Sequence, residues 1–291
     1  MNSVYDFSAY QHSVMLGDQV RLDAYFHAIQ NQVKRGMPVA EVGTGTGILS
    51  AYAAARTDAP VYAIEFKESI AKLAQKMMSL AKLDHVQVLQ GKSFDMKLSP
   101  EPEILLTETI GAVGPEEHIV EICYDFKKRH PAVKGIIPAR LRMYAEPIQS
   151  ARVKQSEQMF LDYFSSASYG SFKYEAIQPE LLKNRSTHLL FDSLGGDART
   201  IGPRQLLVEY VLGETESSAF STTVEIGEMK DVDAYHLYFE ADLDAQVRLS
   251  THFSKPETHW SHAYTRKPPH GKSLKISYVP SAAALDVEWP E

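Results

Sequence analysis

The stretch that most restricts how this chain can fold is Val39-Ala40-Glu41-Val42-Gly43-Thr44-Gly45-Thr46-Gly47-Ile48. A short apolar run reads as a buried strand, three glycines at alternate positions force a tight turn, and a helix starts near Ile48. Glycine lets the backbone come close to a ligand, so a strand, glycine turn and helix in this order make a nucleotide site by plain geometry.

Around this unit, short apolar runs alternate with helical stretches. Residues 18–34 place Val20, Leu22, Tyr25, Phe26, Ile29 and Val33 at mostly helical spacing, with Asp18 as N-cap. Strands are expected at 39–42, 61–64, 86–89 and 104–107, with helices after Gly47 and up to Leu80. This alternation predicts a parallel sheet with helices on both faces, an α/β Rossmann-like domain over residues 1–138. Beyond Pro138 the texture changes. Residues 141–144, 206–211, 235–239, 247–250 and 274–278 read as strands without long helices between them, so residues 139–291 are expected to form a β-barrel-like domain.

Composition narrows the function. The chain has 291 residues with 44% hydrophobic content, enough for a sizeable core, and a formal net charge of −7. Its longest basic run is Lys127-Lys128-Arg129, so nucleic acid is excluded as a partner. The lone cysteine, Cys123, supports neither an internal disulfide nor a Cys-rich metal site, and no metal is expected. Asp6, Asp18 and Asp23 interrupt the region where a signal peptide would need an apolar run, and no stretch approaches the roughly 20 residues that cross a bilayer. The expectation is a cytoplasmic protein with no membrane partner.

Two groups of residues carry the chemistry. A dinucleotide fingerprint beginning at Gly43 would put its third glycine at position 48, where Ile48 stands, so the spacing favours S-adenosyl-L-methionine over NAD. The next strand ends in Glu65, whose carboxylate can accept both ribose hydroxyls. The second group is Glu108-Thr109-Ile110-Gly111-Ala112-Val113-Gly114-Pro115-Glu116-Glu117, a loop leaving the carboxyl end of a strand, where open α/β sheets bind ligands. Acids at both ends suit a cationic, planar guanidinium held in paired hydrogen bonds. A simpler reading makes Glu116 and Glu117 the first turn of a helix running through Phe126, where acids favour the dipole.

Three separated motifs resemble the protein arginine N-methyltransferases, class I S-adenosylmethionine-dependent enzymes. His12-Ser13-Val14-Met15-Leu16-Gly17-Asp18-Gln19-Val20-Arg21 is similar to the family's cofactor-covering segment, Glu108 and Glu117 to its paired glutamates, and Thr258-His259-Trp260 to its Thr-His-Trp loop. The resemblance implies that Arg21 binds the methionine carboxylate and that His259 pairs with Asp18. It further implies cofactor contacts at Met15, Gly43, Thr44, Gly45, Gly47, Glu65, Ser93 and Asp95, with Asp95 toward the adenine. Glu108, Glu117, His259 and Asp18 become the catalytic set, and Trp260 and Glu116 become substrate contacts. A homodimer is implied too, with residues 160–190 as the place for a dimerisation arm.

The chain also departs from the pattern. Ile110, Ala112 and Val113 stand where many members carry aromatic or methionine residues, and Phe94 occupies the position that usually supplies the adenine carboxylate. The acceptor is accordingly an arginine of a protein or a free guanidino small molecule. Two rivals stay open: methylation of another amine or hydroxyl, and an inactive relative that serves as a scaffold.

Overall fold

The computed structural model describes residues 9–166, 168–169, 172–177, 179–180, 187–226, 229, 231–268, 271–282 and 284–290. The first half carries helices α1 (Ala9–Gly17), α2 (Gln19–Gln32), α3 (Ile48–Ala54), α4 (Glu68–Leu80) and α5 (Ile119–Arg129). Its strands are β1 (Val39–Val42), β2 (Val61–Glu65), β3 (Val86–Gln90), β4 (Ile104–Thr107) and β5 (Gly135–Ile137). They form one parallel sheet in the order β3-β2-β1-β4-β5. Every residue of β1 and β4 is buried, because helices cover both faces and no side of these strands meets water. The chain winds one way from β1 and the other way from β4, so the crevice for a ligand opens between their carboxyl ends. Val42 lies beside Thr107 in the register, which brings the glycine turn and the acidic loop together.

Asp18 caps α2 by accepting from the Arg21 amide, and the helix buries Leu22, Tyr25, Ala28 and Ile29. The Tyr25 hydroxyl donates to the Thr107 carbonyl at 3.0 Å, tying this helix to the end of β4. The simpler reading of the acid pair, a helix beginning at Glu116, is not what forms. Pro115–Glu117 form a separate 3-10 turn, His118 adopts a left-handed conformation at φ 64°, and α5 starts only at Ile119.

The second half is antiparallel. Its strands are β6 (Arg140–Gln149), β7 (Ser168–Tyr169), β8 (Phe172–Lys173), β9 (Leu190–Phe191), β10 (Arg199–Thr200), β11 (Gln205–Val211), β12 (Phe220–Glu225), β13 (Ala234–Asp242), β14 (Arg248–Ser250), β15 (Ala263–Arg266), β16 (Ser273–Tyr278) and β17 (Asp286–Glu288). Seven of them build a sheet around β6 and β13, and β12-β16-β17 form a smaller one; β7 and β8 pair apart. These two sheets bury Leu207, Tyr210, Val224, Phe239, Leu274 and Ile276 in the same apolar cluster that holds Leu106 and Ile110 of the first half. Hydrogen bonds of 2.7 Å from the Ser218 amide and hydroxyl to Glu121 join the halves again.

One element corrects the sequence reading. Helix α6 (Ala151–Ser166) interrupts what was expected to be all strand. Its Arg, Lys, Gln, Glu, Met and Leu residues favour a helix. Val153 buries its inner side, and buried Arg266 on β15 reaches the Val153 carbonyl at 3.1 Å and Glu157 at 2.5 Å. The stretch 160–190 offered for a dimerisation arm lies partly outside the described residues.

Candidate active site

A cavity of about 1040 Å³ lies over the β1 and β4 ends, walled by the glycine turn, β2, the acidic loop and residues of the β half. Gly43, Gly45 and Gly47 have φ of 75°, 55° and 86°, a region that side chains disfavour. Space is short as well. A Cβ on Gly43 would sit 2.7 Å from the Thr109 methyl, and one on Gly45 would sit 3.0 Å from the His12 ring. The glycines therefore let α1 and the acidic loop close on the turn from two sides.

Both carboxyl oxygens of Glu65 accept backbone amides, Gly45 at 3.0 Å and Lys67 at 2.9 Å, which fixes the side chain on the cavity rim. Beneath the turn stands Glu41, which sequence reading noticed only as the end of a strand. It is buried, and one of its oxygens accepts from the Thr44 and Ser50 hydroxyls. Burial pushes it up to about 7. Its signal in the sequence was an acid at the penultimate position of an otherwise apolar strand. The Thr44 hydroxyl, turned to Glu41, serves the turn.

Arg21 is buried and donates to Glu108 at 2.9 Å and to the Met15 carbonyl at 2.7 Å. Met15, Arg21, Glu108 and Glu117 all line the cavity. Burial raises the Glu108 carboxyl above its ordinary range, with Arg21 working against it. Glu117 is different, because among the described residues it forms no ion pair. Burial first, then Glu108 and Glu116, push it up to about 9.

Asp18 and His259 meet as the resemblance implied. One Asp18 oxygen caps α2, and the other accepts from both the amide and Nδ1 of His259, each at 2.8 Å. Burial works to raise Asp18, but these hydrogen bonds outweigh it and hold the carboxyl below its usual value. The neighbouring Trp260 donates from Nε1 to the Ile110 carbonyl at 3.2 Å and packs edge-on against Phe239 at 5.1 Å. It pins the acidic loop to the β half.

Three expected contacts do not line the cavity: Gly47, whose open side faces the Met78 methyl of α4, Glu116 and Asp95. The Glu116 carboxyl is turned under its own loop, where it accepts the Val113 amide at 3.1 Å and fills the space that a Cβ on Gly111 would need. Asp95 points to solvent, since Ser93–Asp95 form a 3-10 turn whose successive side chains diverge by a third of a circle. Ser93 and Phe94 line the cavity in its place. The turn is held by Arg129, which donates to the Ser93 and Met96 carbonyls at 2.8 and 2.7 Å. A surface basic run had concealed that role.

No family model matches the sequence. Curated relatives do. The chain is 33% identical over 145 residues to protein arginine N-methyltransferase PRMT10 of Arabidopsis thaliana, covering 48% of this chain and 38% of that protein. It is 28% identical over 280 residues to protein arginine N-methyltransferase 1 of Schizosaccharomyces pombe, covering 90% and 79%. Thus the chain spans only about two-fifths of the first of these relatives. Among solved structures, Arabidopsis thaliana protein arginine methyltransferase 10 superposes with a TM-score of 0.70 at 22% identity over 94% of this chain and 88% of that one. The Trypanosoma brucei PRMT1 enzyme–prozyme heterotetrameric complex with AdoHcy gives 0.76 at 20% identity over 95% and 90%.

The architecture is a Rossmann-like α/β domain joined to an antiparallel β half, the fold of those solved structures. In sequence the chain is similar to the protein arginine N-methyltransferases.

Proposed function

We propose that this protein transfers a methyl group from S-adenosyl-L-methionine to a guanidino nitrogen of arginine, in a protein or a free small molecule. The observation that carries the reading is the placement of Glu108 and Glu117 on the same cavity as the Gly43–Gly47 turn, with Glu117 lacking an ion-pair partner among the described residues. The turn, Glu65 and Arg21 fit the cofactor: close backbone, an acid in reach of a ribose, and a buried cation for a carboxylate. When bound, the cofactor supplies an electrophilic methyl on a sulfonium.

The chain's own residues do the rest. A guanidinium has a pKa of about 12.5 or higher and delocalised lone pairs, so it is a poor nucleophile until its charge is localised. Two carboxylates holding two of its nitrogens draw the positive charge toward themselves and leave the third nitrogen richer. Methylation at that nitrogen requires loss of one proton, and His259, oriented through Nδ1 by Asp18, lines the cavity as its acceptor. Trp260 and Ile110 exclude water on the β side.

We further propose a homodimer. Met159 and Tyr163, four residues apart on α6, are 63% and 62% exposed, an apolar pair available to a second copy.

Transfer of a labelled methyl to free arginine and to arginine peptides tests the activity. Glu108→Gln and Glu117→Gln should each lower turnover about a hundredfold or more, on the order of 2 to 4 kcal/mol, while AdoHcy binding by calorimetry survives. Glu116→Gln should change little, since the amide oxygen can still accept the Val113 amide. Near-normal methylation by both first variants would move the acceptor to a neutral nucleophile.

A further inference from the structure

Outside the cavity, the β half buries a second set of polar side chains. Glu146 on β6 and His236 on β13 are directly opposed in the antiparallel register, and His252 follows β14 from the other side of β13. Glu146 is 3% exposed and His236 fully buried. His236 Nδ1 lies 3.1 Å and His252 Nε2 2.6 Å from the same Glu146 oxygen. One donor atom from each of the three side chains lies within 4.8 Å of the other two. None of the three lines the methyl-transfer cavity.

The composition of the cluster separates it from an ordinary ion-paired core network. Only imidazoles face the buried carboxylate: among the described residues, no lysine or arginine pairs with Glu146. In addition, His236 Nε2 and His262 Nδ1 are buried without a hydrogen-bond partner, their rings 5.6 Å apart and edge-on. Both nitrogens lie at the back of the cluster and are not among the three atoms that converge. The ring planes are held from outside, Tyr238 stacking on His236 at 5.2 Å and Phe253 on His252 at 4.5 Å.

We infer that Glu146, His236 and His252 form a binding site for one divalent transition-metal ion of the Zn²⁺ type. Two imidazole nitrogens and one carboxylate oxygen are a donor set that such an ion accepts. Atoms bonded to a shared tetrahedral ion at about 2.0 to 2.2 Å lie about 3.3 Å apart, so the two short contacts have to open by less than about 1 Å. The ion answers the charge of a carboxylate that is otherwise costly to bury. His252, with its side chain 17% exposed, gives the ion an entry side. The site bolts β6, β13 and the segment after β14 together. Its signal was illegible in the sequence, since Glu146 and His236 are 90 positions apart.

Tag-free protein stripped with a chelator and titrated with Zn²⁺ or Co²⁺ alone tests the site. One equivalent should bind, Co²⁺ should develop the visible absorption of a low-coordinate centre, and Zn²⁺ should raise Tm. His252→Ala, a change outside the strands, should bind at least about 100-fold more weakly, and so should the near-isosteric Glu146→Gln. His85→Ala, remote from the cluster, should bind as the unmodified protein does. Failure to take up either ion stoichiometrically overturns the site, as does uptake that persists in both folded variants; the cluster is then a hydrogen-bonded core network only.

Discussion

Glu117 holds its proton at neutral pH, because burial and then the nearby Glu108 and Glu116 push it up to about 9. A guanidinium keeps its charge across that range, so seating one between the acids requires Glu117 to ionise. The sign follows directly. Below about 9 the ligand-free protein favours the protonated acid and the ligand favours the carboxylate, so affinity should rise from pH 7 to 9 and level off above. Calorimetry at pH 7.5 with free arginine or an arginine peptide, whichever is methylated, should show about one proton released per ligand. It would appear as a heat that differs between phosphate and Tris, and Glu117→Gln should remove the difference. Equal heats in both buffers for the unmodified protein would refute the account. Glu65 and Glu108 could be read from the sequence because each directly adjoins the carboxyl end of an apolar strand, where direction is set by the sheet. Asp95 and Glu116 could not, since each sits in a 3-10 turn and its direction depends on that turn's rotation.

At helix α2 one side chain serves both the start of the helix and its tie to the β half. Asp18 gives one oxygen to the Arg21 amide and the other to His259, across 241 positions of sequence. Asp18→Ala should lose a cap worth about 1 kcal/mol and a charge-assisted bond worth about 1.5 to 3 kcal/mol, for a total near 2 to 4 kcal/mol. Asp18→Asn keeps the cap and should cost clearly less. Urea unfolding checks both, and an Asp18→Ala loss below about 0.5 kcal/mol would contradict the double role. The cap was readable because an acid precedes a helical spacing; its second bond needed the fold. Helix α6 escaped the sequence for a related reason. Among the residues whose side chains are described, Val153 is its one buried position, and its hold on the sheet comes from Arg266, more than a hundred positions away. An apolar stripe was therefore never required.

The whole molecule pairs a sheet whose strands run unbroken through the core with a β half assembled from distant strands. The first was legible because β1, β2, β3 and β4 are short apolar runs in sequence order; β5, three residues beginning with glycine, gave no pattern. Assembly is the matching test at this scale. Light scattering at micromolar concentration should give twice the chain mass in an active sample, and Met159→Asp with Tyr163→Asp should give a monomer. An active monomer of the unmodified chain would refute the homodimer. Arg21 carries a further consequence. Its guanidinium spans the Met15 carbonyl, on the segment beside the glycine turn, and Glu108, on the acceptor side. Under the proposed function this single cation interlocks two seats, because a carboxylate arriving beside the glycine turn competes with Glu108 for the guanidinium that restrains it.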